Sequence, residues 1–417
     1  MGYYLVEGGK PIGGEFLVRG SKNAVLPILA ATLLAEDEVV LENCPLISDF
    51  YQTLDILRSL GCTVELTGRT ASVNTKQIQE VEIREETVQK MRSSILFLGA
   101  LLSREKRAVL GHPGGCAIGK RPIDIHLRAF EKMGVKIKEE DGLFNCQAQH
   151  ILGCDIYLEY PSVGATENIL LLAVKAEGVT VIHNAAREPE IVALVHFLRA
   201  CGAEIYGEGT PSIMIEGVER LHGAYFPIPT DRIEAGTLLC ASAMTGGELC
   251  LLGVEKSDVE TTLDILVKTG CKVGFEGERL WMKPPRVLKS NFSVTTGPFP
   301  AFSTDMQPLI MSLLTLAKGN CMISEMVFEA RFHHVDELRR MGADIIVEDN
   351  VARIRGCQGL HGAEVFGRDL RGGAALLIAA LAAEGESIIY GCEYVKRGYE
   401  KIEDAFSFLG GAVRFME

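Results

Sequence analysis

The sequence predicts an α/β fold of two lobes built from six repeats of about 70 residues, and three observations carry that prediction. One phrase recurs as helix, glycine stop and strand: LRSLGCTVE, FEKMGVKIK, FLRACGAEI, LVKTGCKVG, LRRMGADII and FSFLGGAVR. A second phrase, an apolar helix of about a dozen residues, keeps step with it. The two chain ends are each short of a full repeat, and together they supply one.

The glycines of the first phrase are Gly61, Gly134, Gly202, Gly270, Gly342 and Gly410, separated by 73, 68, 68, 72 and 68 residues. Each stands where a helix end favours a left-handed residue. The apolar copies are AVLPILAATLLA, SSILFLGALLS, ATENILLLAVKA, AGTLLCASAMT, DMQPLIMSLLTLA and GGAALLIAALAA. They are apolar nearly all round, so burial on every side is expected. Each leads through a turn to a short strand such as VVLEN, RAVLGH or VTVIHN, then to a polar loop and the helix that ends in the recurring glycine.

The last copy stops at GAVRFME, while the amino terminus opens with the strands YYLVEG and GEFLVRG. The stretch FPIPT, residues 226–230, is a Pro-rich break near the middle. The expected lobes are therefore residues 21–229 and residues 1–20 plus 230–417, three repeats each, with two crossings and a ligand cleft between them.

At 417 residues, 47% hydrophobic and 23% charged, the chain has ample material for such cores. A net charge of -13 argues against a nucleic acid or an anionic membrane as partner. The opening MGYYLVEGGK has no basic region followed by an apolar run, so no export leader is expected, and no apolar run reaches the roughly 18 residues that span a membrane. Twelve cysteines without CxxC pairs suit reduced thiols in the cytoplasm better than a disulfide framework or a zinc site. His333 and His334 read as helix surface, since no third metal ligand lies at suitable spacing. No metal and no cofactor are expected.

Cations collect at the amino ends of the apolar helices: Lys22, Arg92, Arg232 and Arg371. That end already carries about half a positive charge, so a cation there is disfavoured unless an anion sits beside it. Arg331 and Arg397 lie near helix starts in the polar loops. Any one of these read alone is a solvated surface cation; their recurrence at equivalent positions points to a ligand carrying several phosphate or carboxylate groups. Asp305 and Asp369 have a second reading, as helix caps.

The stretch GHPGGCAIGKRP, residues 111–122, nearly spells a phosphate-binding loop. It places Arg121 where that pattern needs a Ser or Thr, and a cysteine in the middle. Cys116 has glycines on both sides and Lys120 and Arg121 just after it, surroundings that lower a thiol's pKa and make it reactive.

From end to end the chain resembles the UDP-N-acetylglucosamine 1-carboxyvinyltransferases of the enolpyruvyl transferase family, through SKNAVLPILAA, MRSSILFLG, HPGGCAIGKRPIDIH, SVGATENI, NAAREPEIV, FSTDMQ, FEARF, RDLR and RGYEKIED. The resemblance implies a two-lobed inside-out α/β barrel. It implies phosphoenolpyruvate and UDP-N-acetylglucosamine as substrates, and transfer of the enolpyruvyl group to the sugar 3-hydroxyl at the first committed step of peptidoglycan synthesis. Lys22, Arg121 and Arg397 match the residues that grip phosphoenolpyruvate, with Arg371 nearby. Asn23, Arg92, Pro122, Ile123, Asp124, Ile125, Ser162, Val163, Gly164, Asp305 and Val327 match the sugar-nucleotide site, Asp124 facing the uracil and the Ser162 turn the diphosphate. Arg331 and Asp369 join them in the substrate-binding set. Cys116 matches the loop cysteine that serves as proton donor and as the target expected for fosfomycin-type inhibitors, and Asp305 the base beside the 3-hydroxyl. Ala330 and Ser303 stand where the family more often carries Asn and Pro. Two rivals remain open: a shikimate-type enolpyruvyl transferase, which the Cys116 loop counts against, and a non-catalytic UDP-sugar-binding paralogue, which would have no need of the acid and base.

Overall fold

The structure, a computed structural model, describes residues 2–83, 85–114, 118–119 and 122–417; Cys116, Lys120 and Arg121 lie outside the described residues. The chain divides into two compact units, each with its own apolar core. One unit contains the described residues 20–114 and 122–229; the other contains residues 2–19, 118–119 and 230–417.

The first unit encloses helices α1 (Lys22–Ala31), α2 (Leu96–Glu105) and α3 (Val163–Ala173). In α3 every residue from Ala165 to Ala173 is buried. Helices apolar on all faces must be covered on all faces, and three four-stranded sheets do the covering, together with helices such as Ser48–Ser59 and Pro189–Ala200. Each fully buried leucine, Leu29 or Leu171 for example, contributes roughly 2 kcal/mol relative to exposure. The sheets share one pattern, in which a parallel pair is extended by an antiparallel hairpin. Asp155–Tyr157 pairs in parallel with Val179–His183, which pairs antiparallel with Ser212–Glu216 and so on to Glu204–Tyr206. Alternation along Ser212–Glu216, with Ile213 and Ile215 buried and their neighbours exposed, marks an inner and an outer face.

The second unit repeats the plan with α4 (Arg232–Thr245), α5 (Gln307–Thr315) and α6 (Leu370–Ala382) inside. Its sheets use strands from both chain ends. Tyr3–Glu7 lies between Glu386–Tyr390 and Ala412–Met416, antiparallel to both, and Gly14–Leu17 pairs in parallel with Leu249–Leu252.

The recurring glycines have a common geometry. All six adopt φ between 94° and 99°. At the first, Gly61 N–H donates to Arg58 C=O and Cys62 N–H to Leu57 C=O, the paired bonds of a Schellman end, and the same two bonds recur at Gly134, Gly202, Gly270, Gly342 and Gly410. Only glycine adopts that backbone without strain.

Candidate active site

In the first unit, identical caps set the amino ends of α1 and α3. Ser21 (φ −71°, ψ 123°) accepts from Ala24 N–H, and Ser162 (φ −72°, ψ 121°) accepts from Ala165 N–H, both at 3.3 Å. Lys22 thus becomes the first residue of α1, and Val163 and Gly164 open α3. Lys22 Nζ lies 2.9 Å from Asp49 Oδ2, whose side chain is 2% exposed. That carboxylate offsets the repulsion a cation meets at a helix amino end. Asn23 is half-buried beside Lys22, and Arg92 opens the short 3₁₀ turn Arg92–Ile95 that leads into α2. Pro122 is exposed, Ile123 and Ile125 are half-buried, and Asp124 opens the helix Asp124–Lys132 with its Oδ2 2.8 Å from Arg128 Nη2.

A buried amide ties these pieces together. Asn168 of α3 donates from Nδ2 to Ile95 C=O and accepts at Oδ1 from Gly99 N–H, both at 2.9 Å. Its amide thus reaches both ends of the first i→i+4 pair of α2, just where the Arg92 turn meets that helix. Residue 99 must be glycine for this, because a Cβ there would run into Asn168 Oδ1. Both backbone partners fix the amide's orientation, so its Nδ2 also faces His126 Nδ1 at 3.1 Å and that nitrogen accepts. His126 is consequently neutral with its proton on Nε2, and its ring borders Gly164.

In the second unit, Asp305, Arg331, Asp369 and Arg371 converge. Arg331 Nη2 is 2.8 Å from Asp305 Oδ1 and Arg371 Nη2 is 3.4 Å from Asp305 Oδ2. Arg331 also donates from Nε and Nη2 to Thr304 C=O at 3.2 and 3.1 Å, and its Nη1 lies 3.7 Å from Asp369 Oδ1. Both guanidinium side chains are 2% exposed, against 27% for Asp305. Arg371 differs from Arg331 in one respect: its Nε and Nη1 have no hydrogen-bond partner among the described residues. Burial works against its charge, but the facing Tyr399, Asp305 and Asp231 hold the charge on.

The capping alternative holds for one aspartate and fails for the other. Asp369 caps α6, accepting from Arg371 N–H at 3.1 Å and Gly372 N–H at 3.0 Å. Asp305 does not cap α5, which begins two residues later behind Met306, and its carboxylate turns to the arginines instead. Val327 is held from outside the expected set, its N–H donating to buried Glu325 Oε1 at 2.9 Å, while Glu325 Oε2 accepts from Thr304 Oγ1 at 3.1 Å. Arg397 is half-buried in the turn before helix Ile402–Phe408, its N–H bonded to Tyr394 C=O.

One expectation needs correction. His334 is 2% exposed, so it is core and not helix surface, and burial pushes its pKa down to about 4. It packs against the amino end of α6, where a Cβ on Gly372 would meet its own Cβ. A cavity of about 270 Å³ lined by Glu329, His333, Asp336 and Arg368 contains none of the expected site residues. Sequence reasoning missed Asp49, Asn168, Glu325 and Tyr399. Glu325 and Asp49 look like ordinary surface carboxylates in the sequence, whereas Asn168 inside an apolar helix and Tyr399 two residues after Arg397 carried a readable signal.

Among the described residues no group of His, Cys, Asp and Glu is arranged to hold a metal, and no helix is long and apolar enough to cross a membrane. The family described as EPSP synthase (3-phosphoshikimate 1-carboxyvinyltransferase) matches residues 6–406. A protein of Caldanaerobacter subterraneus subsp. tengcongensis named UDP-N-acetylglucosamine 1-carboxyvinyltransferase 2 is 45% identical over 413 residues, 99% of each chain. A UDP-N-acetylglucosamine 1-carboxyvinyltransferase of Nitratidesulfovibrio vulgaris is 45% identical over 410 residues, 98% of each chain. Among solved structures, the enolpyruvyl transferase NikO from Streptomyces tendae superimposes with a TM-score of 0.90 at 26% identity, covering 100% of this chain and 99% of that one. The EPSP synthase of Acinetobacter baumannii does so with a TM-score of 0.78 at 20% identity over 100% of each chain, a likeness of fold. Fold, family match and full-length likeness agree: the chain belongs to the enolpyruvyl transferase family, in its UDP-N-acetylglucosamine 1-carboxyvinyltransferase branch.

Proposed function

We propose that the protein transfers the enolpyruvyl group of phosphoenolpyruvate to the 3-hydroxyl of UDP-N-acetylglucosamine and releases phosphate, in the cytoplasm, at the first committed step of peptidoglycan synthesis. The observation that carries this reading is the 45% identity across 99% of the chain to a protein of that name. The shikimate substrate in the family's description is the rival. The Cys116 loop and the Arg121 to Ile125 stretch, with Asp124 to face a uracil, count against it.

The residue types fit the reaction. In the proposed course the Cys116 thiol gives its proton to the methylene carbon of phosphoenolpyruvate, leaving the central carbon electron-poor. The sugar 3-hydroxyl oxygen bonds to that carbon while its proton passes to Asp305. The tetrahedral adduct then expels phosphate from the central carbon, the proton on Asp305 leaving with it, and the Cys116 thiolate takes a proton back from the new methyl group, which restores the double bond and both residues. Lys22, Arg121 and Arg397 hold the phosphate and carboxylate through these steps, and Arg371 offers two further N–H donors. Asn23, Arg92, Pro122, Ile123, Ile125, Ser162, Val163, Gly164 and Val327 bind the sugar nucleotide, with the diphosphate at the capped amino end of α3. Arg331 and Asp369 hold Asp305 and Arg371 in place. No step calls on a metal or a cofactor.

Cys116 is also the thiol proposed to react with a small phosphonate epoxide such as fosfomycin. Burial makes three of its competitors poor nucleophiles: it pushes the thiols of Cys44, Cys146 and Cys201 up to about 12. A phosphate-release assay tests the main reading. Release from phosphoenolpyruvate with UDP-N-acetylglucosamine but not with shikimate 3-phosphate supports it; the reverse selects the rival, and no release with either leaves the non-catalytic paralogue.

A further inference from the structure

The segment VKRGYEKIED carries Arg397 in a turn, and two residues later Tyr399 drops into the core. Tyr399 is 2% exposed, and its N–H bonds to Val395 C=O at 3.0 Å, closing the turn. Its phenol oxygen lies 2.8 Å from Thr237 Oγ1 on α4, and Thr237 Oγ1 lies 2.7 Å from Ile233 C=O. A carbonyl only accepts, so the Thr237 hydroxyl spends its proton on Ile233 and receives the one from Tyr399. The phenol is thereby locked as a donor toward α4. Its ring is held against the Arg371 guanidinium, with the Arg371 Cζ 5.3 Å from the ring centroid.

Arg371 needs such a support. It is buried, and among the described residues its ion-pair partner lies 3.4 Å away and two of its nitrogens have no partner. A buried guanidinium with open donors is costly unless a ligand completes it, so the side chain would otherwise turn toward any available acceptor. The Tyr399 ring beside the cation and its phenol oxygen, which accepts from the guanidinium, hold Arg371 in place, while Nε and Nη1 stay available for an anion.

We infer that Tyr399, locked by Thr237, is a positioning residue that aims Arg371 at the anionic group of phosphoenolpyruvate. This deepens the proposed function and rests on it, since that reading supplies the substrate. The same side chain anchors the turn that carries Arg397, so one aromatic ring fixes two of the cations assigned to that substrate.

The test compares Tyr399→Phe, Thr237→Val, Thr237→Ser and the Phe/Val double variant in steady-state kinetics, with a thermal melt of each. Tyr399→Phe keeps the ring but loses the lock. It should raise the KM for phosphoenolpyruvate about tenfold, the equivalent of roughly one lost hydrogen bond, and leave the KM for UDP-N-acetylglucosamine within about twofold. Thr237→Val should match it, the double variant should be no worse than either single change, and Thr237→Ser, which retains the hydroxyl, should behave as wild type. An unchanged phosphoenolpyruvate KM in Tyr399→Phe, an equal rise for both substrates, or additive effects in the double variant would overturn the inference. A melt lowered in every variant with no change in the ratio of the two KM values would make the pair merely structural and overturn it as well. Wild-type protein that releases no phosphate would instead strike at the proposed function.

Discussion

Asp305 presents its two carboxylate oxygens to two different arginines, Oδ1 to Arg331 and Oδ2 to Arg371, and does so with guanidinium groups far more buried than itself. Removing the carboxylate outright would leave two buried cations facing each other, a loss of about 3 kcal/mol or more in stability. Asp305→Asn is the cleaner change, because the amide keeps an acceptor and the shape. We expect it to lower kcat at least about 100-fold, the usual contribution of a general base, while calorimetry finds UDP-N-acetylglucosamine affinity within about threefold of wild type. Binding that collapses together with turnover would assign Asp305 a structural role instead.

The Lys22 to Asp49 pair leads to a second expectation. Asp49→Asn removes the charge that fixes Lys22 at the amino end of α1, where the helix itself repels a cation. The KM for phosphoenolpyruvate should rise about tenfold, since a hydrogen bond to a charged group is worth somewhat more than a neutral one. An unchanged KM would mean that Lys22 is placed by the capped helix alone.

Asn168 predicts a stability effect with a definite origin. Asn168→Leu leaves Ile95 C=O and Gly99 N–H without their side-chain partners and buries a larger apolar group in the same space. Gly99→Ala drives a methyl into the amide. Each should cost about 3 kcal/mol in urea unfolding, and the pair should be less than additive because both break one arrangement. A cost below about 0.5 kcal/mol for either would show that the helix can close its own ladder there.

Glu234 makes stability depend on pH. It accepts from Arg19 N–H at 2.8 Å, and burial, opposed by Arg19, pushes its carboxyl from 4.5 up to about 7. Between those values the folded protein keeps a proton that the unfolded chain has released. Stability should therefore fall as pH rises from about 4.5 to about 7 and then level off, by about 3 kcal/mol at most from this group. Glu234→Gln should gain on wild type across that window in urea unfolding at pH 4.5 and pH 8. A constant difference between the two proteins at both pH values would contradict this.

Much of the architecture is written in local chemistry. The glycine phrase is legible because a Schellman end needs φ > 0 at one position, and the buried helices because their apolar residues leave no polar stripe. The strands Tyr3–Glu7 and Gly14–Leu17 could be recognised as strands, but their partners lie hundreds of residues away, and no local pattern specifies register over that distance. The candidate cations were visible for a similar reason: Lys22, Arg92 and Arg371 stand against the helix dipole. What holds them was not visible. Asp49, Glu325 and Thr237 act through contacts to Lys22, Thr304 and Tyr399 that no local pattern announces, and His334 sits in the turn before the helix Val335–Arg340, where its burial depends on the packing of α6.

The account's central claim is the identity of the acceptor, and the product tests it most directly. The protein is incubated with phosphoenolpyruvate and an equal mixture of UDP-N-acetylglucosamine and shikimate 3-phosphate, and the products are read by proton NMR and mass spectrometry. The account predicts vinyl methylene protons on a sugar nucleotide substituted at its 3-oxygen, one phosphate released per product, and unmodified shikimate 3-phosphate. A vinyl ether on the shikimate, or a sugar nucleotide recovered unchanged, would contradict it.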